Sequence, residues 1–343
     1  MQSESETEER RFSDLTKPRH ATQQTAIGPT RSCGSLEKHE LFFLVLTILG
    51  LMGTLGLTIY RLAKITSVDA ETADFTFALV LIINTVACMI FVVHGLMRER
   101  PYEVAIFIIA DVIVLIYCIV NYAEKPRFDD ATEHAVKLVR LILVVVFSVI
   151  AVPLAVYILV SFYQSRNLIF RTVGANEALQ NMCDLTFFNE ALLKLDFQLE
   201  LSMVVLVMDK GTDVNPEDIV VLSVGTVFVL VWAIMGYLSM RFENRVLVII
   251  FLLLWWCEPA YIIYKMVVVA QQLHNKGKTL SDTKIVSAAA IACGIAACVI
   301  HSLILVITWT VWGNFGKGLK EKVYGQPAST EDSRQVVEEE SRT

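Results

Sequence analysis

Seven side chains stand where long apolar runs should hold none: Asn84, Asp111, Lys194, Asp196, Glu200, Glu258 and His301. Each lies near the middle of its run. A charge at the centre of a bilayer costs about 2.5 kcal/mol or more, so such groups face a bundle interior or a wet cavity. The chemistry open to them there is the binding of protons, cations or a small polar solute. Their plainer role is interhelical hydrogen bonding that locks a bundle. Asp196 and Glu200 are like charges one helical turn apart, so either one carries a proton or both face a cation. At 100° per residue, Glu190, Lys194 and Gln198 fall within an arc of about 80°, with Asp196 and Glu200 on the opposite side. A helix polar on both sides must be surrounded, as the central element of a bundle. Glu190, four residues ahead of Lys194, is spaced for a local ion pair. Glu258 precedes Pro259, whose ring removes a backbone donor and frees the carbonyl of Trp255 at a kink. A carboxylate beside a free backbone oxygen suits an ion site as well as a packing kink. His301 has the side chain that titrates near neutral pH, or it serves as an interhelical partner.

The elements that position these groups follow from composition. Of 343 residues, 55% are hydrophobic and 19% charged, with mean hydropathy +0.56. That excludes an ordinary soluble domain and makes the lipid bilayer the solvent. A span needs about 20 apolar residues. Eight stretches qualify: 41–62, 75–97, 102–122, 138–163, 187–208, 218–240, 246–270 and 286–312. The predicted fold is all-α, a polytopic transmembrane helical bundle over 41–322. The fifth stretch is the weakest, because Glu190, Lys194, Asp196, Gln198 and Glu200 all fall inside it. Without it the chain would have seven spans, with its tails on opposite sides. The tails, 1–40 and 323–343, are polar and read as disordered, the second acidic. The connection 164–186 reads as a short amphipathic helix at the interface.

Net charge is −6, and no basic stripe with interleaved aromatics points to nucleic acid. The seven cysteines form no CxxC pair and no zinc-type spacing with histidine, so neither a metal nor a cofactor is expected from them. No HExxH motif or nucleophile dyad speaks for an enzyme. Lys317, Lys320 and Lys322 follow Trp309, Trp312 and Phe315, a basic flank to an aromatic belt that argues for cytosolic termini. Gly50, Gly53 and Gly56 on the first span, and Ala290, Gly294, Cys298 and Ser302 on the last, are small-residue faces that suit bundle packing or a homodimer seam. Gly95 with Arg98, Glu99 and Arg100 leads to Asp111. Gly236 with Arg241, Glu243 and Arg245 leads to Glu258. This parallel suggests that the halves repeat, four spans each.

Four strings in order, GAN (Gly174 to Asn176), LLKLDF (Leu192 to Phe197), RFENR (Arg241 to Arg245) with AYIIYKM (Ala260 to Met266), and NFGKGLK (Asn314 to Lys320), resemble an uncharacterised family of multi-pass Golgi apparatus membrane proteins described from fungi. In the first half only RERPYE (Arg98 to Glu103) looks similar. The resemblance implies a Golgi or other endomembrane address and a polytopic helical fold, with no catalytic site to transfer. Lys194, Asp196, Tyr261 and Lys265 match its pattern, whereas Gln198, Glu200, Glu258, Pro259 and His301 depart from it.

Two functions compete. One is transport or conduction of a small polar solute or cation through a midplane cluster; the other is a scaffold or sorting protein whose polar residues only lock the bundle. A solvent-reachable cavity touching Asp111 and Glu258 favours the first, and a dry, fully paired cluster the second.

Overall fold

The computed structural model describes residues 22–25, 28–31, 33–68, 73–123, 131–206, 216–275 and 281–325. The outer parts of both tails, 1–21 and 326–343, lie outside the described residues. Helices α1 (Lys38–Val68), α2 (Ala73–Met97), α3 (Pro101–Ala123), α4 (Ala131–Ser165) and the short α5 (Asn167–Val173) make the first half. The second half holds α6 (Glu177–Leu206), α7 (Pro216–Arg241), α8 (Arg245–Leu254), α9 (Cys257–Asn275), α10 (Ser281–Trp312) and the short α11 (Leu319–Tyr324).

Among the described residues, six segments are long and apolar enough to cross a membrane: Lys38–Ala63, Ala78–Met97, Leu138–Phe170, Ser223–Arg241, Arg245–Gln271 and Ala288–Trp312. The chain is therefore a multi-pass integral membrane protein with six such segments, not the eight expected. The expected span 187–208 belongs to α6, a helix too heavily charged to count as an apolar crossing segment; its last residues lie outside the described ones. The expected span 102–122 is α3, which holds Glu103 and Asp111, and the side chains of residues 117, 120 and 121 lie outside the described ones.

Packing repeats between the halves. In the first, α1 packs on α2, α2 on α3, α3 on α4 and α4 back on α1; in the second, α6 packs on α7, α7 on α8, α9 on α10 and α10 back on α6. The broken pair α8–α9 stands where the first ring has the single helix α3. The turns match too. The chain reverses after α2 at Glu99 (φ 46°), with Arg100 N–H donating to the Gly95 carbonyl at 2.9 Å. It reverses after α7 at Glu243 (φ 49°), with Asn244 N–H donating to the Ser239 carbonyl at 3.1 Å. Pro101 then opens α3, while the Asn244 side chain caps α8 by accepting from Val246 and Leu247 N–H. Superposing the turns on their glutamates sets Asp111 level with Trp255, not with Glu258 as the sequence spacing suggested.

Each turn glutamate holds a terminal element. Glu99 pairs at 3.1 Å with Arg31, which also donates to both Glu40 oxygens and to the Ser35 carbonyl. Arg31 ends a hairpin of β1 (Thr22–Thr25) and β2 (Gly28–Arg31), inside the stretch read as disordered. Composition counts Arg31 as a solvated charge and cannot register a buried partner far along the chain. At the other end Glu243 accepts Gly316 N–H at 2.7 Å and Lys320 N–H at 3.0 Å. Gly316 and Gly318 take φ 80° and 85°, the left-handed backbone that lets this loop turn back onto the bundle. Helix α11 then docks on α5, on α6 and on β2, so order extends to residue 325, past the expected limit at 322.

Helix α6 packs on α2, α3, α5, α7, α10 and α11, which makes it the central element that its two polar sides required. Gly50 lies under the Phe147 ring of α4, and Gly294 against Met266 of α9, so these two small residues serve packing inside the chain.

Candidate functional site

Three helices bring four of the seven expected residues to one point. Helix α6 supplies Asp196 and Glu200 one turn apart, α9 supplies Glu258 in its first turn, and α10 supplies His301. All four are at least 96% buried. His301 Nδ1 lies 2.7 Å from Asp196 Oδ2, 3.4 Å from Glu258 Oε2 and 3.7 Å from Glu200 Oε1. One ligand atom from each residue falls within 4.8 Å of all the others.

The kink expected at Pro259 builds this geometry. Helix α8 ends at Leu254 and α9 starts at Cys257, because Pro259 has no N–H for the Trp255 carbonyl. That carbonyl instead lies 3.2 Å from His301 Nε2, while Trp255 Nε1–H donates to the His301 carbonyl at 3.0 Å. Only a protonated Nε2 can donate to a carbonyl, so the bond fixes that nitrogen as a donor and turns Nδ1 to the carboxylates. Trp232 and Trp255 both stack on the imidazole, with centroids 4.6 and 5.4 Å away. The ring is held in plane and in rotation.

The carboxylates are not satisfied by the protein. Asp196 Oδ1, both Glu200 oxygens and both Glu258 oxygens are buried with no donor group of the protein bonded to them, and Glu200 and Glu258 face each other within reach of a shared proton. Such atoms are rare in folded proteins and costly to keep, and an ion or proton is the usual remedy. Three carboxylates and one oriented ring nitrogen are a donor set for a cation.

A second polar network lies further along α6. The expected local pair of Glu190 with Lys194 does not form. Glu190 pairs with Arg100 and accepts from the Tyr324 hydroxyl at 2.7 Å. Lys194 donates to Glu103 Oε1 at 2.7 Å and approaches His94 Nδ1 at 3.1 Å, and His94 Nδ1 meets Glu103 Oε2 at 2.5 Å. The Arg100 guanidinium also covers the Phe187 ring at 4.0 Å. A fully buried guanidinium needs a carboxylate more than a half-buried lysine does, so Glu190 goes to Arg100 and Lys194 finds Glu103. Burial disfavours the Arg100 charge, but Glu190 and Glu103 outweigh that and hold its pKa above the ordinary value. Burial beside Glu190 pushes the Tyr324 phenol well above its usual range, which keeps it a donor.

A cavity of about 480 Å³ opens between α2, α6 and α7. Its wall is mainly aliphatic, with Glu190, Lys194, Gln198 and Tyr237 as polar points. Asn84 joins it through Gln198, whose Nε2 donates to Asn84 Oδ1 at 2.5 Å. Neither Asp111 nor Glu258 lines this cavity. Asp111 is buried on α3 near Ser148 of α4, with its Oδ2 unpartnered, so it belongs to the first ring while Glu258 belongs to the second. Equal depth in two spans does not set the rotation of either helix, and this pairing, expected from depth, is not one the structure brings together.

Sequence reasoning passed over Arg100, Glu103, His94 and Tyr324 as a membrane-edge turn and a tail. It also passed over the Trp232 and Trp255 rings, having singled out Trp255 only for its freed carbonyl. Arg98–Glu99–Arg100 directly before a proline was the available signal, since three charges closing a span need partners.

No curated protein matches this chain, and no solved structure does. One family does: its match covers residues 27–161 and 173–310, two stretches of similar length that each take in most of one of the helix rings described above. The chain belongs to the family described as a domain of unknown function, DUF7789.

Proposed function

We propose that this protein carries a cation across an internal membrane, with Asp196, Glu200, Glu258 and His301 as the binding site. One observation carries the reading: three buried carboxylates, with five oxygens that no donor group of the protein satisfies, meet at an imidazole nitrogen turned toward them. A bundle held together by polar groups alone would pair them. The enclosure of the cluster corresponds to an occluded state. The repeated rings give a means of opening, since α6 supplies two of the ligands while its other side packs on the first ring. The protein acts as a carrier, not an enzyme, and works without an organic cofactor.

Both tails face the cytosol in this reading. The packing of β2 against α11 supports a shared side, and the basic aromatic flank after α10 supports which one. The Golgi or a related endomembrane is the proposed address, on the four strings resembling that family.

Flux in vesicles containing the purified protein tests the function. Glu200→Gln and Glu258→Gln should each abolish cation-dependent flux while the protein stays folded. A second reading, a non-transporting scaffold, draws on the burial of the cluster and on its distance from the open cavity. It expects no flux in any vesicle and a loss of about 1 to 2 kcal/mol of stability in both variants.

A further inference from the structure

We infer that the cluster selects a first-row divalent transition cation, of the Zn²⁺ or Mn²⁺ kind, over alkali ions, Mg²⁺ and Ca²⁺. This rests on the cation reading above and names its substrate class. The donor set comes first. An imidazole nitrogen is a poor ligand for hard cations and a good one for transition ions, and carboxylates serve both. A site built for Ca²⁺ offers six to eight oxygens, and one for Mg²⁺ keeps several waters. Here His301 Nδ1 and three carboxylates meet within 4.8 Å in a buried site.

Spacing agrees. Ligand atoms around a tetrahedral ion at about 2.0 to 2.1 Å lie roughly 3.3 to 3.4 Å apart. Nδ1 already stands 3.4 Å from Glu258 Oε2 and 3.7 Å from Glu200 Oε1. Only the 2.7 Å contact with Asp196 is shorter, and it is a hydrogen bond with one proton between the two atoms. Binding therefore exchanges that proton for the metal: the ion takes the Nδ1 lone pair and an Asp196 oxygen, and the proton leaves to solvent. The Nε2–H bond to the Trp255 carbonyl survives the exchange. It is the outer contact that metal-bound histidines generally keep, which orients the ring and strengthens its donor nitrogen. Glu200 and Glu258 complete the shell, and a proton held between their carboxyl groups leaves to solvent with the first.

Binding of the bare ions to purified full-length protein in nanodiscs tests this. Zn²⁺ should bind saturably at one per chain with release of at least one proton, and millimolar Mg²⁺ or Ca²⁺ should not displace it. Co²⁺ should give the intense visible bands of a low-coordinate site, and bound Mn²⁺ should show magnetic coupling to one imidazole nitrogen. These two readouts use the unmodified protein, so they stand even where a variant misfolds. His301→Gln and Glu200→Gln should weaken Zn²⁺ binding at least tenfold, and Asp111→Asn should not. Saturable Ca²⁺ or Na⁺ binding with equal strength, absence of Zn²⁺ binding, or Mn²⁺ without nitrogen coupling would each overturn the inference. Flux separates the two claims. Proton or alkali flux that depends on the cluster, without Zn²⁺ binding, leaves transport standing and defeats the metal assignment. Zn²⁺ binding with no flux of any cation supports the metal site and defeats transport.

Discussion

Pro259 shapes the site without touching an ion. Its missing N–H leaves the Trp255 carbonyl free for His301, so Pro259→Ala should let the helix close and draw that carbonyl into the backbone ladder. Removing the proline from this break between α8 and α9 should leave thermal stability unchanged or raised. Loss of the outer contact on a ligand histidine typically weakens metal binding by about 10- to 100-fold. Calorimetric unfolding beside Zn²⁺ titration checks both halves of this expectation, and tight binding in the variant would show that the carbonyl contact is incidental. Arg100 is the second residue whose role can be separated. Arg100→Ala takes away the guanidinium bonded to Glu190, leaving the Tyr324 hydroxyl as its hydrogen-bond partner and the charges of Arg98 and Lys194 nearby, and stranding one partner of a buried pair costs up to about 3 to 5 kcal/mol. Adding Glu190→Gln to that variant should restore much of the loss, because the stranded charge is gone. A double-mutant cycle by denaturant unfolding measures the difference.

At the scale of elements, the two glutamate turns work as latches. Glu243→Ala removes the acceptor for Gly316 and Lys320 N–H, so α11 should lift from the bundle while the crossing helices stay in place. Hydrogen exchange over residues 319–324 should quicken, and a protease should cut within 313–318 sooner, with midpoint stability lowered by no more than about 1 to 3 kcal/mol. Unchanged exchange would mean that the buried Leu319 and Val323 hold the helix by themselves. Packing around the imidazole offers another test. A methyl added at Gly236 would stand 2.6 Å from Phe251, whose ring stacks on Trp232 at 4.2 Å, and Trp232 in turn stacks on His301. Gly236→Ala should therefore cost about 1 to 3 kcal/mol and shift tryptophan fluorescence, through overpacking alone.

For the whole molecule, the repetition of ring and turn makes α6 the joint between halves. It closes the second ring against α7 and α10 and faces α2 and α3 of the first. Two of the cation ligands, Asp196 and Glu200, thus share α6 with Glu190 of the second network, about one to three turns away. A rigid shift of that helix would be felt in both. Topology is the property of the whole chain most open to direct measurement. Tags at either terminus should be digested together when protease is added to sealed, cytosol-side-out vesicles. Protection of one tag alone would break the shared-side arrangement and require an odd number of crossings.

Hydrophobic run length by itself determined that this is a helical membrane protein, because a span is a local property: about 20 residues must be apolar wherever the rest of the chain lies. The same local reasoning recovered the central place of α6, whose two polar sides are written in its 3.6-residue period, and the kink at Pro259, which follows from the missing N–H. It also marked Asp196, Glu200, Glu258 and His301 as misfits. It could not sort the misfits into groups, since depth along a span says nothing about rotation around it. Only the tertiary structure drew those four together, left Asp111 in the other ring, sent Glu190 to Arg100 instead of Lys194, and tied Arg31 and Tyr324 from the tails into the bundle. Each of those choices joins residues far apart in the chain, where the partner of a buried charge is set by which helices meet.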